Sequence, residues 1–105
     1  MVLIMVTSWI PLDKVTEVTE KYMEVIQKFP QESFEKPLVI SGSSPSKDGI
    51  KVISITEVEK GKYEEAVNLV ARRMAEFYSI KGYRFEVETL LTLEEALPVI
   101  GMAPP

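Results

Sequence analysis

Apolar residues recur along this chain in two rhythms, and the switch between them marks out its elements. From Val2 to Trp9 the chain is apolar and β-rich, and Ile10-Pro11 ends the run, which predicts a buried first strand. Next, Val15, Val18, Tyr22, Val25, Ile26 and Phe29 recur at three- and four-residue steps, with Lys14, Glu17, Glu20, Lys21, Glu24 and Lys28 turned away. One apolar stripe of that width predicts an amphipathic helix lying on a sheet, closed by Pro30.

A polar connection from Gln31 to Lys36 leads to two further strands, one over Leu38 to Ser43 and one over Ile50 to Val58. Asp48-Gly49 between them is a strong short hairpin signal, because both residues tolerate the positive φ that tight turns need. Pro45, without a ladder donor, puts the second strand at a sheet edge. Gly61 then precedes a second helical stripe made of Tyr63, Ala66, Val67, Val70, Ala71, Met74, Phe77 and Tyr78. Lys81-Gly82 supplies its left-handed cap. The last strand alternates, with Tyr83, Phe85 and Val87 on one side and Arg84, Glu86 and Glu88 on the other. Thr92 and Glu95 have capping-box spacing, so a short helix is expected over 93–97, followed by Pro98 and a tail over 98–105.

The order β-α-β-β-α-β is that of a ferredoxin-like α+β domain spanning residues 1–105, with strands one and three central. Right-handed crossovers place both helices on one face. With Asp48 and Gly49 as the two turn residues, Pro45 faces Val52, Ser43 faces Ser54, Ser41 faces Thr56 and Val39 faces Val58. That register predicts an open side carrying Ser54 and Thr56, with Ile40, Ile53 and Ile55 turned to the helices. Strand one is apolar on both sides, Val2, Ile4 and Val6 on one and Leu3, Met5 and Trp9 on the other. We place Leu3, Met5, Thr7 and Trp9 on the open side. Because two helices shelter one face only, the other needs its own cover: a second copy, the chain's own C-terminal segment, or water.

The element order, the double-faced first strand from Val2 to Trp9, and the acidic last strand followed by a short helix resemble the dimeric α+β barrel superfamily. That resemblance implies sheets paired face to face in a homodimer that binds a small molecule, with cofactor-independent enzymes among its members. No catalytic signature of the group is present, and its haem-binding and His-dependent branches do not fit a chain without His.

Composition narrows the chemistry further. The absence of Cys removes disulfides, thiolate nucleophiles, zinc fingers and iron–sulfur clusters; the absence of His removes the usual neutral-pH base and the commonest transition-metal ligand. Neither a metal site nor a cofactor is expected. A net charge of -4, with no cluster of Lys and Arg, argues against a nucleic-acid partner. Lys81-Gly82-Tyr83-Arg84-Phe85 echoes an RNA-recognition motif, but on the wrong strand, and Gly42 to Lys47 opens no helix that could cradle a phosphate. No run reaches the ~20 apolar residues of a membrane span. The expectation is therefore a cytoplasmic protein without a membrane partner.

The candidate ligand-binding positions are Thr7, Trp9, Ser54, Thr56, Arg84 and Glu86, a hydroxyl-rich quarter bordered by an aromatic and a charged row. Glu86 and Glu88 are spaced to act as a carboxylate pair, or to form a solvated edge. Tyr22, Tyr63 and Tyr78 are expected to pack in the core with their hydroxyls at the rim. The alternative to a small-molecule-binding domain is a non-catalytic module for effector sensing or assembly.

Overall fold

The structure, a computed structural model, describes residues 2–102. Its elements are β1 (Val2–Ile10), a 3-10 turn (Leu12–Lys14), α1 (Val15–Lys28), β2 (Glu35–Gly42), β3 (Ile50–Val58), α2 (Tyr63–Ala75), β4 (Arg84–Leu91) and α3 (Leu93–Val99). The four strands form one antiparallel sheet in the order β2-β3-β1-β4. The topology is ferredoxin-like, as the order of apolar rhythms predicts.

One side of that sheet carries the core. Ile4 and Val58 pack with Val18 and Val25 of α1 and with Ala66, Val70 and Met74 of α2, flanked by Val2, Val6 and Ile10. Each such aliphatic side chain contributes about 1.5–3 kcal/mol by leaving water. Phe77 and Ile80 remain buried beyond the end of α2, where the chain turns back toward β4. Tyr22 and Ile26 of the α1 stripe stay 46% and 41% exposed, so the buried stripe is narrower than the apolar one.

The sheet is open, which corrects the barrel that the family resemblance implies. β2 and β4 are its two free edges, and three strand spacings hold them about 14 Å apart. A closed barrel needs strands tilted and staggered around an axis until the edges pair. Nothing among the described residues joins these two edges.

The hairpin brings a second correction. Ser46 and Gly49 pair with each other, so the turn residues are Lys47 and Asp48 rather than Asp48 and Gly49. The Ser46 hydroxyl accepts the Asp48 N–H at 3.2 Å, which stabilises the earlier turn. Gly49 (φ 94°) is then free to press against β1: a Cβ there would collide with the Ile10 carbonyl. Beyond the arm Ser41 lies opposite Ile53 and Gly42 opposite Val52. The offset from the expected pairing is an odd number of residues, so every β3 side chain changes face relative to β2.

α3 runs past Pro98 to Val99, longer than expected, with Pro98 inside the helix. The Thr92 hydroxyl accepts the Glu95 N–H as its cap. Of the tail expected over 98–105, residues 103–105 lie outside the described residues.

Candidate functional site

Face assignments follow from register, since directly paired residues share a side of the sheet. On β1, Leu3, Met5, Thr7 and Trp9 point away from the helices, as expected. Their partners are Leu90, Glu88, Glu86 and Arg84 on β4 and Glu57, Ile55, Ile53 and Lys51 on β3. The open face is therefore apolar through its middle, at Leu3, Met5, Ile53 and Ile55, with charge toward both sides.

Four of the six predicted site residues come together there. Thr7 pairs with Glu86, and Trp9 pairs with Arg84. Thr7 is only 5% exposed although it faces away from the helices. Ser54 and Thr56 do not join them. Paired with Val6 and Ile4, they face the helix layer, and the hydroxyl-rich quarter is thereby divided between two faces. In their place stand Ile53 and Ile55, which the expected hairpin register turned inward. The one sequence signal for the true arrangement was Ser46 two residues before Asp48, a hydroxyl positioned to cap the turn.

At one end of the open face, the Arg84 guanidinium lies 5.5 Å from the centroid of the Trp9 ring. This contact forms one wall of a shallow cleft of about 380 Å³. Lys47, Asp48 and Gly49 of the hairpin arm form the other wall, with Asp13 and Gly82 beside them. The Gly49 contact with β1 positions that arm. Sequence reasoning missed Lys47 and Asp48 because only the arm's fold-back brings them to Trp9, and Asp13 because it reaches the cleft from the 3-10 turn after β1. The cleft mixes an aromatic surface with two cations and two carboxylates, which suits a small polar ligand. Glu86 and Glu88 stand exposed beside it on alternate positions of β4.

A buried ion pair lies at the opposite end of the molecule, on the helix side. Glu35, 6% exposed at the start of β2, takes Arg73 Nη1 at 2.6 Å and Nη2 at 2.8 Å. It also accepts the Glu32 N–H at 3.0 Å. Arg73 meanwhile donates to the Phe29 and Pro30 carbonyls. Burial pushes the Glu35 carboxyl up, but the Arg73 and Glu32 donors outweigh it and hold the group below its ordinary value. This arrangement pins α1's end, β2's start and α2 together and leaves no open position for a ligand. On the same side the Tyr83 hydroxyl donates to Ser8 Oγ at 2.8 Å. Burial raises the Tyr83 pKa, partly offset by that bond.

Tyr22, Tyr63 and Tyr78 lie nearer the surface than expected. They are 46%, 43% and 72% exposed, and the Tyr63 hydroxyl shares a hydrogen bond with Thr89. No helix among the described residues is long and apolar enough to cross a membrane.

No protein-family model and no curated protein matches the chain. Among solved structures, the de novo designed protein Foldit4 is similar at 17% identity and a TM-score of 0.60, covering 87% of this chain and 97% of that one. The de novo designed protein Ferredog-Diesel is similar at 12% identity and a TM-score of 0.50, covering 84% of each. A third similarity, to the C-terminal domain of the MgtC protein from Mycobacterium tuberculosis, has 10% identity and a TM-score of 0.44, over 83% of this chain and 86% of that one. The two designed proteins share the ferredoxin-like fold with this chain, and at such identities the likeness concerns fold alone.

Proposed function

We propose that this domain is a non-catalytic assembly module whose open sheet face pairs with that of a second copy. The observation that carries the reading is the apolar row Leu3, Met5, Ile53 and Ile55 on a face away from both helices. Charge on the face suits a second copy as the occupant. The β2–β3 half carries Lys36 and Lys51 with Glu57, and β4 carries Glu86 and Glu88 with Arg84, so the first half is net positive by one charge and the second net negative by one. A two-fold axis along the strands lays each half over the other's opposite and sets Met5 over Ile55 of the partner copy. Both sheets remain open in such a stack.

Magnitude limits the strength of the pair. Four strands at ~4.8 Å spacing, eight or nine residues long, present on the order of 500 Å². Two such faces bury about 1,000 Å², just below the ~1,200 Å² at which stable interfaces begin. A weak, concentration-dependent dimer is the expected product. Sedimentation equilibrium over a wide concentration range should show it, and Met5→Lys or Ile55→Lys should abolish it while circular dichroism stays unchanged. A wild-type chain that remains a single molecule at the highest concentrations would overturn the reading.

A second reading, effector sensing, is favoured by one feature, the cleft between the Trp9–Arg84 contact and the hairpin arm. A small aromatic carboxylate suits it: the ring on Trp9, the anion at Arg84 and Lys47. Benzoate-type probes should raise the melting temperature by mass action, and Arg84→Ala should remove that rise.

A further inference from the structure

The two edges of the sheet are built differently. β2 carries features that keep an edge unpaired: Pro37 has no N–H to give, the ladder shifts between Pro37 and Val39, and Lys36 sits beside them. β4 has no Pro, Lys or bulge, and its eight residues keep unbroken register with β1 from Arg84 to Leu91. Its outer edge pairs with no strand among the described residues. The helix side of this edge is also poorly covered. Val87 is 41% exposed, and Tyr78, stacked on Phe85 at 6.1 Å, is 72% exposed.

We propose that β4 pairs antiparallel with β4 of a second copy about a two-fold axis at Phe85, joining two sheets into one of eight strands. Charge selects that register. With the helices of both copies on one side, a two-fold centred on Glu86 sets Arg84 against Glu88 twice but Glu86 against itself, one centred on Glu88 sets that carboxylate against itself, and one centred on Val87 sets Glu86 against Glu88 twice. Centring on Thr89 places Glu88 against Leu90. Only the Phe85 centre, among these five positions, sets Arg84 against Glu86 of the partner copy, and it does so twice. Phe85 then meets Phe85, and Tyr83 meets Val87, which extends the aromatic row of Tyr78, Phe85 and Tyr83 across the seam. The proposal goes beyond face stacking and holds whether or not the faces stack, because the strands join through the backbone edge and the helix side of β4, while Arg84 and Glu86 of the open face only set the register.

Cross-linking in this Cys-free chain tests it. Directly opposed antiparallel residues have Cα atoms about 4.5–5.5 Å apart, within disulfide reach. Phe85→Cys should therefore form a covalent dimer under mild oxidation, whereas Val87→Cys, opposite Tyr83, should not. Copies stacked only by their open faces would hold Phe85 on the two outer sides of the stack, beyond bridging distance. Charge reversal tests the register with Phe85 left in place. Arg84→Glu and Glu86→Arg should each weaken self-association about tenfold, and an equal mixture of the two variants should restore it. Cross-linking of Val87→Cys as readily as Phe85→Cys, no cross-link at either position, or charge variants with unchanged association would each overturn the proposal.

Discussion

Two arginines divide this molecule between them. Arg73 enters a nearly closed corner, makes four hydrogen bonds, two of them to a carboxylate 38 residues away in sequence, and ties three elements together. Arg84 lies across an indole on an uncovered face and is itself exposed. The same side chain is a structural fastener in one place and an accessible recognition group in the other. Burial makes the difference: a charge taken out of water is held by partners on every side, while one left in water stays available to something new.

Mutation should separate the two most sharply. Arg73→Ala leaves the Glu35 carboxylate buried without its counter-charge, and about 3 kcal/mol of stability should disappear in urea unfolding. Acid should act through the same corner. Because Glu35 is held below its ordinary value of 4.5, the unfolded chain takes up the proton more readily than the folded one. Its contribution is fully present above that ordinary value and declines as pH falls through the lowered folded pKa. Glu35→Gln should flatten this part of the stability–pH curve, measured by chemical denaturation at a series of acidic pH values. The smallest effect belongs to the other arginine: Arg84→Ala should cost no more than about 1 kcal/mol in the same assay. A loss at Arg84 comparable to that at Arg73 would erase the distinction.

How much of this was readable beforehand depends on how far apart the interacting groups lie in the chain. The stripe beginning at Val15 and the alternation of Tyr83, Arg84, Phe85 and Glu86 are local patterns, and the structure keeps both: a helix over Val15–Lys28 and a strand with Arg84 and Glu86 facing away from the helices. Thr92 and Glu95, three residues apart, form their cap as spacing predicts. The pair Glu35 and Arg73 left no such trace, because nothing local marks two charges that meet only after α1, β2 and α2 have packed. For the candidate site, Trp9 and Arg84 were found through β-strand parity, which is local, while Ser54 and Thr56 were misplaced. Their face depended on the hairpin turn, where a serine hydroxyl and the contact of Gly49 with Ile10 outweighed the turn preference of Asp48-Gly49. The open barrel edges likewise could not be inferred from apolar alternation, which describes faces and is silent about how edges meet.

That glycine has one more consequence. Gly49 is buried while every residue from Ser41 to Asp48 is exposed, so beyond the Ser43–Lys51 hydrogen bonds that tie it to β3 the tip of the polar arm rests on β1 at this glycine. Extra residues spliced between Ser43 and Ser46 would lengthen the arm without moving its foot, giving a natural place to graft a loop or an epitope. A methyl group added at Gly49 would instead lever the tip of the arm away from Ile10 and unroof one wall of the cleft beside Trp9.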